Sequence, residues 1–327
     1  MTKRVVVGYH GHCFDGMCSA AALTRVLRTL ESETLEFTYK GLDHQPGGSH
    51  VPEEILTGDL NAVVDFRYTT SPRLHWWFDH HVTGVVGDVE RDHLAHDTSG
   101  KKFYDPTCGS CCKLIADVAE ARLGVSMQAM AETVHWADVI DAARFPDART
   151  AVALAEPALQ LMSVIEAHGS DAFLAPRIQQ LADGASLADL ATDAAVQALF
   201  APLLREHNET KSAIQQRAKL QDGVLFFDLV GSGRERYNKF IAYDLFPDAR
   251  YTVSVTAGDR RAKVSVGSNP WARRPRTHDI AALCARYGGG GHPVVGAVSL
   301  AAGEVERARV IAAEIVKALA EPSQPAD

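Results

Sequence analysis

The sequence feature that most constrains this chain is an apolar run, Trp76-Trp77-Phe78, that ends directly in Asp79-His80-His81. Such a run predicts a buried strand that delivers one carboxylate and two imidazoles to the edge of a sheet. In open parallel α/β sheets, ligands bind outside the carboxyl ends of the strands. The pattern therefore predicts a parallel sheet with a functional site at this edge.

Two other apolar runs end in the same way. Val5-Val6-Val7-Gly8-Tyr9 stops at His10, and Ala62-Val63-Val64 stops at Asp65. Strand ends often carry Asp or His as turn residues, so each of these positions taken alone has a plain structural interpretation. Three such ends in succession predict a shared rim of carboxylate and imidazole groups.

The length of the chain, 327 residues, is sufficient for two domains with separate cores. We predict an α/β fold: a parallel-sheet N-terminal domain over 1–200, a connecting helix over 201–222, a smaller α/β C-terminal domain over 223–320 and a tail over 321–327. No apolar stretch is long enough to span a membrane, and no signal-peptide pattern precedes the first strand. Six cysteines in a chain of this size do not suggest a disulfide framework, so we expect a cytoplasmic protein.

Charge is distributed unevenly along the chain. Residues 222–320 carry 14 Lys and Arg against 10 Asp and Glu, whereas the whole chain carries 33 against 41. The net charge is therefore +4 in this part and −12 in the remainder. A protein that holds cations in one domain and phosphates in the other shows such an asymmetry, and ordinary surface variation also produces it.

Two further motifs carry polar or glycine residues at the ends of elements. Asp15-Gly16 follows His10 and immediately precedes an apolar-rich stretch with helical spacing. Near the C-terminus, a predicted helix stops at Gly288-Gly289-Gly290-Gly291-His292. A backbone without side chains can approach a ligand closely, and successive N–H groups form an anion-binding concavity. A helix stop followed by a loose loop is the structural alternative.

Taken in order, these motifs resemble those of the DHH phosphoesterases with a C-terminal DHHA1 domain, and the resemblance covers nearly the whole chain. It includes Asp141-Ala142-Ala143-Arg144-Phe145 in the place of a D-T-G-x-F-like motif. That family contains oligoribonucleases and nanoRNA exonucleases, cyclic dinucleotide phosphodiesterases and nucleotide phosphatases. Its first domain also resembles that of manganese pyrophosphatases. The resemblance implies a hydrolase that acts on phosphoester bonds with the help of divalent metal ions.

The resemblance also implies a role for each matched residue. The implied ligands of one or two divalent cations are His10, Asp15, Asp65, His80 and Asp141. Asp65 is expected to bridge the cations, while the implied catalytic residues are Asp79, which would support the ligands, and His81, which would face the phosphate. The residues expected to bind substrate from the second domain are Gly289, Gly290, Gly291 and His292, with Arg261 as a further contact.

Carboxylate and imidazole ligands without thiolate suit Mn²⁺, with Mg²⁺ or Fe²⁺ as alternatives. Two such ions can activate a shared water and neutralise charge on the attacked phosphate. The expected substrate is a short nucleic acid or a small nucleotide, because an acidic surface repels a long polymer. No membrane partner is expected, and a homodimer is left open.

The first motif departs from the family pattern. Cys13 occupies a position where many relatives have an aspartate, which leaves open whether His12 substitutes or one cation is lost. This departure motivates an alternative function, a nucleotide-binding sensor without efficient hydrolysis. An inorganic polyphosphatase or pyrophosphatase is a third interpretation.

Two other positions leave alternatives open. Asp138 competes with Asp141 as a ligand, and Phe145 at the matching distance favours Asp141. Gly267 stands where relatives often have an arginine. Phosphate contacts are then expected from other cationic side chains nearby, namely Arg260, Arg261, Lys263 or the group around Arg273.

Overall fold

The computed structural model describes residues 2–43 and 50–321. Its contacts divide the chain into two units, which are Met1–Phe145 with Ala155–Ala201, and Pro146–Leu154 with Pro202–Asp327. Each unit contains its own sheet and its own buried apolar cluster. The tail predicted over 321–327 lies outside the described residues from position 322 onward.

The first unit is built on a five-stranded parallel sheet, which confirms the predicted fold class. Its strands are β1 (Thr2–His10), β2 (Thr34–Leu42), β3 (Leu60–Val64), β4 (Trp76–Asp79) and β5 (Lys102–Tyr104). Their order across the sheet is β2-β1-β3-β4-β5. Strands β3 and β4 are buried at every position. Because successive side chains point to opposite faces, both faces of the sheet are covered at its centre.

Helices connect these strands and follow them. Those in the first half of the chain are α1 (Phe14–Leu30), α2 (Asp88–Ala95), α3 (Cys111–Arg122), α4 (Ala131–Asp141) and α5 (Ala148–Ala153). They are followed by α6 (Pro157–His168), α7 (Asp171–Ala182), α8 (Leu187–Ala191) and α9 (Ala194–Arg217). Helix α1 is buried along most of its length and packs against α3, α4 and α7. None of the helices in the described ranges is both long and apolar enough to span a membrane.

The second unit contains a six-stranded mixed sheet and three further helices. Its strands are β6 (Lys219–Gln221), β7 (Val224–Asp228), β8 (Tyr251–Ala257), β9 (Arg261–Ser268), β10 (Gly290–His292) and β11 (Val295–Ala301). The helices are α10 (Ile241–Leu245), α11 (Ile280–Ala285) and α12 (Val305–Ala320). The strand order is β10-β11-β9-β8-β7-β6, and only β7 and β8 pair in parallel. Side chains of α12 cover one face of this sheet.

One short segment of the second unit comes from an earlier part of the chain. Helix α5 packs against α10. The backbone carbonyl of Ala151 accepts a hydrogen bond of 2.8 Å from the side-chain amide of Asn238, and Nε2 of His207 lies 2.9 Å from the carbonyl oxygen of Val152. The segment predicted as a connecting helix, 201–222, contains the C-terminal part of α9 and strand β6.

Candidate metal centre

The predicted polar residues lie at the carboxyl edge of the parallel sheet. His10 is the last residue of β1, Asp65 directly follows β3, and Asp79 ends β4 and is followed by His80-His81. These three strands are neighbours and run in the same direction. Their carboxyl ends therefore meet at one edge, the place where ligands bind in open α/β sheets.

Six Asp and His side chains at this edge form two groups, and the ligand atoms within each group lie within 4.8 Å of one another. The groups are His10, Asp65 and His81, and Asp15, His80 and Asp141. The structure thus brings all five predicted metal ligands together. It also places His81, predicted to face the phosphate, among the residues that could hold a cation.

Asp65 faces both groups. Its Oδ2 lies 3.5 Å from Nδ1 of His10 and its Oδ1 lies 3.5 Å from Nε2 of His80. The residue is 1% exposed and has a left-handed backbone with φ of 56°, a conformation that aspartate adopts more readily than most residues. Its N–H donates a hydrogen bond of 2.9 Å to the carbonyl of Phe78. This position suits the bridging role that the resemblance implies for Asp65.

Asp15 is held by the N-terminus of α3. Its Oδ2 accepts a hydrogen bond of 2.7 Å from the N–H of Cys111, and its Oδ1 accepts one of 3.0 Å from the N–H of Cys112. The first N–H groups of a helix have no partner within the helix and favour negative charge. A Cβ on Gly16 would lie 2.1 Å from the carbonyl oxygen of His10, so glycine permits this close approach. Backbone groups therefore fix the carboxylate of Asp15.

His80 is oriented by a backbone carbonyl. Its Nδ1 lies 3.1 Å from the carbonyl oxygen of Cys108, so this nitrogen carries the proton of that hydrogen bond. Its Nε2 lies 3.3 Å from Oδ2 of Asp141 and 3.8 Å from Oδ2 of Asp15. A histidine that ligates a metal usually donates its other ring N–H in this way.

Asp79 supports His81 and belongs to neither group. The residue is fully buried, and its Oδ1 lies 2.7 Å from Nδ1 of His81. The same oxygen accepts hydrogen bonds from the backbone N–H groups of His80, at 2.9 Å, and His81, at 3.2 Å. Asp79 therefore fixes both the turn after β4 and the ring of His81.

The carboxylates of the site repel one another and stabilise the protonated form of His80. Burial and the neighbouring Asp65 carboxylate raise the pKa of both Asp15 and Asp141. Burial also acts to raise the pKa of Asp65, but His10 and His80 outweigh it and hold that pKa at about 2. For His80, burial acts to lower the pKa, and the surrounding carboxylates, Asp65 first, raise it to about 9. A bound cation would relieve this repulsion between the acids.

Three buried polar atoms of the site indicate whether a cation fits there. Both carboxylate oxygens of Asp65 and Nε2 of His80 make no hydrogen bond in the part of the chain that the structure describes. Buried polar atoms almost always have a partner. Nitrogen and oxygen donors without thiolate are the set that binds Mn²⁺, Mg²⁺ or Fe²⁺. The residues therefore fit one or two divalent cations.

The unusual Cys13 immediately precedes α1 and is half-buried. Burial and the nearby carboxylates of Asp65 and Asp15 raise the pKa of its thiol well above the usual value. Neither Cys13 nor the exposed His12 belongs to either group among the described residues. The described side chains that form the two groups therefore do not include Cys13 at the position of the family's aspartate.

The two competing aspartates of α4 have different surroundings. Asp141 lies in the second group, whereas Asp138 forms an ion pair of 3.1 Å with Nη1 of Arg144 and lies in neither group. The structure thus brings Asp141, and not Asp138, to the candidate metal centre.

The glycine-rich motif lies in the second unit. Its glycines differ in whether a larger side chain would fit at their position. A Cβ on Gly289 would lie 2.2 Å from the carbonyl oxygen of Ala297, and one on Gly291 would lie 2.3 Å from that of Val295. Strand pairing therefore requires these two glycines. A Cβ on Gly290 would meet no described atom within 4 Å. The fold does not require glycine at this exposed position.

Two predicted substrate contacts lie far apart on the same sheet. His292 pairs with Val295, at the start of β11, and Arg261 pairs with Ala301, at its end. Because a strand rises about 3.4 Å per residue, these rows are separated by roughly 20 Å. The two residues therefore do not contact the same small group.

The fold of the chain matches those of solved structures. PggH from Vibrio cholerae, a pGpG-specific phosphodiesterase, aligns over 97% of this chain and 99% of its own, with 19% identity and a TM-score of 0.66. The DHH domain of PF0399, a member of the s1p family of ribosomal proteins, aligns over 97% of this chain and 87% of its own, with 13% identity and a TM-score of 0.55. The chain has the DHH fold.

A third DHH-fold comparison is weaker. RecJ from Thermus thermophilus, in complex with Mn²⁺, aligns over 98% of this chain and 53% of its own, with 18% identity and a TM-score of 0.45. A likeness at this level carries no conclusion about function. A scan against protein-family models found no match, and a search of curated proteins found none either.

Proposed function

We propose that this chain is a divalent-metal-dependent phosphoesterase that hydrolyses short oligonucleotides or small nucleotide phosphoesters. The observation that carries the proposal is that two potential cation-binding groups lie side by side at the carboxyl edge of the sheet, with the buried Asp65 carboxylate 3.5 Å from both His10 and His80. The similar fold of PggH, a pGpG-specific phosphodiesterase, supports a nucleotide substrate. Mn²⁺ is the proposed metal, since the donor set combines imidazole with carboxylate.

The residues of the site have separate tasks in this proposal. Cations, when bound, supply an activated water and neutralise charge on the phosphate. The carboxylate of Asp15 is fixed by the start of α3 and the ring of His80 by a backbone carbonyl, so these ligands are oriented before a cation arrives. Asp79 holds the ring of His81, which we propose contacts the phosphate.

The proposal is tested by incubating the purified full chain, with Mn²⁺ or Mg²⁺, with pGpG, pApA, 3′-phosphoadenosine 5′-phosphate and inorganic polyphosphate. Separation of products by ion-exchange chromatography should show mononucleotides or phosphate from at least one nucleotide substrate. The turnover should disappear in Asp65→Ala. Phosphate release from inorganic chains, with no activity on any nucleotide, would replace this proposal with a polyphosphatase.

Cys13 favours one second candidate, a nucleotide-binding sensor that keeps the pocket without efficient hydrolysis. Cys13 lies near Asp15 and Asp65, where the family pattern has an aspartate whose charge would strengthen cation binding. Calorimetry with pGpG and pApA separates the two functions. Tight binding without turnover under any divalent ion would support the sensor.

A further inference from the structure

The thiol of Cys111 lies beside the candidate metal centre, at the ends of two neighbouring strands. Cys111 is the first residue of α3 and is fully buried. Its S–H donates a hydrogen bond of 3.3 Å to the carbonyl of Phe78 on β4, and its sulfur accepts one of 3.2 Å from the N–H of Asp65, which follows β3. The side chain of one helical residue therefore joins the carboxyl ends of β3 and β4.

These contacts belong to a closed set of three hydrogen bonds. The N–H of Asp65 also donates a hydrogen bond of 2.9 Å to the carbonyl of Phe78. Each of the three residues thus bonds to the other two, and the Cys111 thiol is a donor to one and an acceptor from the other. Removal of the thiol would leave one of the three hydrogen bonds.

The backbone of Asp65 is the part of the site that most needs such support. Its φ of 56° lies in the left-handed region, which residues with a side chain seldom adopt. Such a conformation has an energetic cost and persists only where the surrounding contacts hold it. The hydrogen bonds from the N–H of Asp65 to Phe78 and Cys111 are contacts of this kind.

The carboxylate of Asp65 depends on this backbone for its direction. Neither carboxylate oxygen forms a hydrogen bond with the residues that the structure describes. The imidazoles that lie 3.5 Å away, those of His10 and His80, are themselves candidate ligands. A change in the φ of Asp65 would therefore move its carboxylate away from one or both cation-binding groups.

Cys111 also contacts the other aspartate that is buried at this edge. Its backbone N–H donates a hydrogen bond of 2.7 Å to Oδ2 of Asp15. The backbone of Cys111 thus holds a member of one group, while its side chain holds the backbone of Asp65, which faces both groups. The position of the two carboxylates relative to each other therefore depends on this one residue.

A thiol near carboxylates could itself bind a cation. Among the described residues, however, both candidate groups consist of Asp and His alone. The sulfur of Cys111 contacts backbone atoms of Asp65 and Phe78 instead. This arrangement favours a role in positioning over a role in coordination.

Cys18 provides a matched comparison within the same unit. It is fully buried on α1, three residues from Asp15. In the described part of the chain, the thiol that bonds to the backbone of Asp65 is that of Cys111. A substitution at Cys18 therefore removes a buried thiol from the same unit without removing a hydrogen bond of Asp65.

We propose that Cys111 is a positioning residue of the metal centre, whose thiol holds the left-handed backbone of Asp65 so that the carboxylate faces both cation-binding groups. The role of Asp65 as a shared ligand rests on the proposed function, whereas the hydrogen bonds of the thiol do not. Serine keeps a donor and an acceptor at position 111. Valine fills the space of the thiol without forming hydrogen bonds, so the two variants separate hydrogen bonding from packing.

The first test is calorimetric titration of the full chain with Mn²⁺. Loss of a group that orients a ligand lowers metal affinity about 10- to 100-fold, and we expect a loss of this size in Cys111→Val. Cys111→Ser should bind Mn²⁺ within a few-fold of the wild type, and so should the control, Cys18→Ala. Circular dichroism and urea unfolding confirm that each variant is folded, and Cys111→Ala replaces Cys111→Val if valine prevents folding.

The second test needs no cation. Hydrogen–deuterium exchange of the metal-free protein is followed by mass spectrometry of fragments that resolve the backbone amide of Asp65. Exchange of this amide should be several-fold faster in Cys111→Val than in the wild type, because one of its two acceptors is lost. Exchange in Cys111→Ser and in Cys18→Ala should stay close to that of the wild type.

The outcomes separate this inference from the proposed function. Wild-type Mn²⁺ affinity in a folded Cys111→Val overturns the inference, and so does an equal loss of affinity in Cys111→Ser or Cys18→Ala. If the wild type binds no Mn²⁺, the proposed function fails and amide exchange decides the inference alone. Faster exchange at Asp65 in Cys111→Val, but not in Cys111→Ser, then upholds the role of the thiol, and unchanged exchange overturns it.

Discussion

The candidate metal centre and the second unit differ in the charge that they carry. In the first unit, three aspartates share two groups with three imidazoles, and backbone N–H groups hold one of the carboxylates. In the second unit, the part of the chain from 222 to 320 has 14 Lys and Arg against 10 Asp and Glu. The comparison teaches that acidic side chains are concentrated where a cation would bind, whereas most of the second unit has a surplus of positive charge.

The largest effect is expected from Asp65→Asn. Asparagine has the same shape and tolerates the left-handed backbone, so the variant should fold. It removes the charge that faces both groups and should lower kcat by about 10³-fold or more, the equivalent of several kcal/mol of charge stabilisation. The measurement is Mn²⁺-dependent turnover of pApA or pGpG.

The matched control for this variant is Asp138→Asn. Asp138 pairs with Arg144 outside both groups, so its loss should change kcat by no more than a few-fold. Equal losses of kcat in Asp65→Asn and Asp138→Asn would contradict the conclusion that Asp65, and not Asp138, belongs to the metal centre.

The glycines of the second unit provide the next largest effect. Gly289→Ala places a Cβ against the carbonyl oxygen of Ala297 and should lower the free energy of unfolding by about 1–3 kcal/mol. Gly290→Ala meets open space and should change it by less than about 0.5 kcal/mol, while raising the KM for a nucleotide. Urea unfolding and steady-state kinetics measure the two effects. A larger loss of stability in Gly290→Ala than in Gly289→Ala would contradict the conclusion that strand pairing requires glycine only at position 289 of these two.

Cys13→Asp tests the departure in the first motif. The new carboxylate lies beside Asp15 and Asp65 and adds the anionic ligand of the family pattern, so the affinity for Mn²⁺ should rise about tenfold. Calorimetric titration with Mn²⁺ measures it. Cys13→Ser removes the thiol without adding charge and should leave the affinity near that of the wild type. No gain in Cys13→Asp would show that this position does not reach the cations.

The polar residues at strand ends could be predicted from the sequence, because each apolar run stops at an Asp or His. Parallel pairing of neighbouring strands then brings His10, Asp65 and His80 to one edge. The hydrogen bonds that orient the candidate ligands could not be predicted in this way. Asp15 and His80 form hydrogen bonds with backbone atoms of Cys108, Cys111 and Cys112. Every residue has these backbone groups, so the amino-acid types do not reveal such bonds.

The hydroxyl groups of β8 and β9 show a second limit of sequence analysis. Alternation along β9 predicts that Lys263 and Ser265 share a face, but it does not reveal that the Ser265 hydroxyl lacks a partner. That follows from strand register, which places Ser254 opposite Ser265 and lets Tyr237 pair with Ser254 instead. The packing of residues 146–154 within the second unit likewise depends on contacts between residues that are distant in sequence.

The most direct test of the metal centre is anomalous diffraction from crystals of the full chain grown with Mn²⁺. The account predicts manganese peaks within coordination distance of the Asp65 carboxylate, shared with His10 on one side and with His80 and Asp141 on the other. Their loss is expected in crystals of Asp65→Asn. Well-ordered wild-type crystals without a peak beside Asp65 at millimolar Mn²⁺ would contradict it.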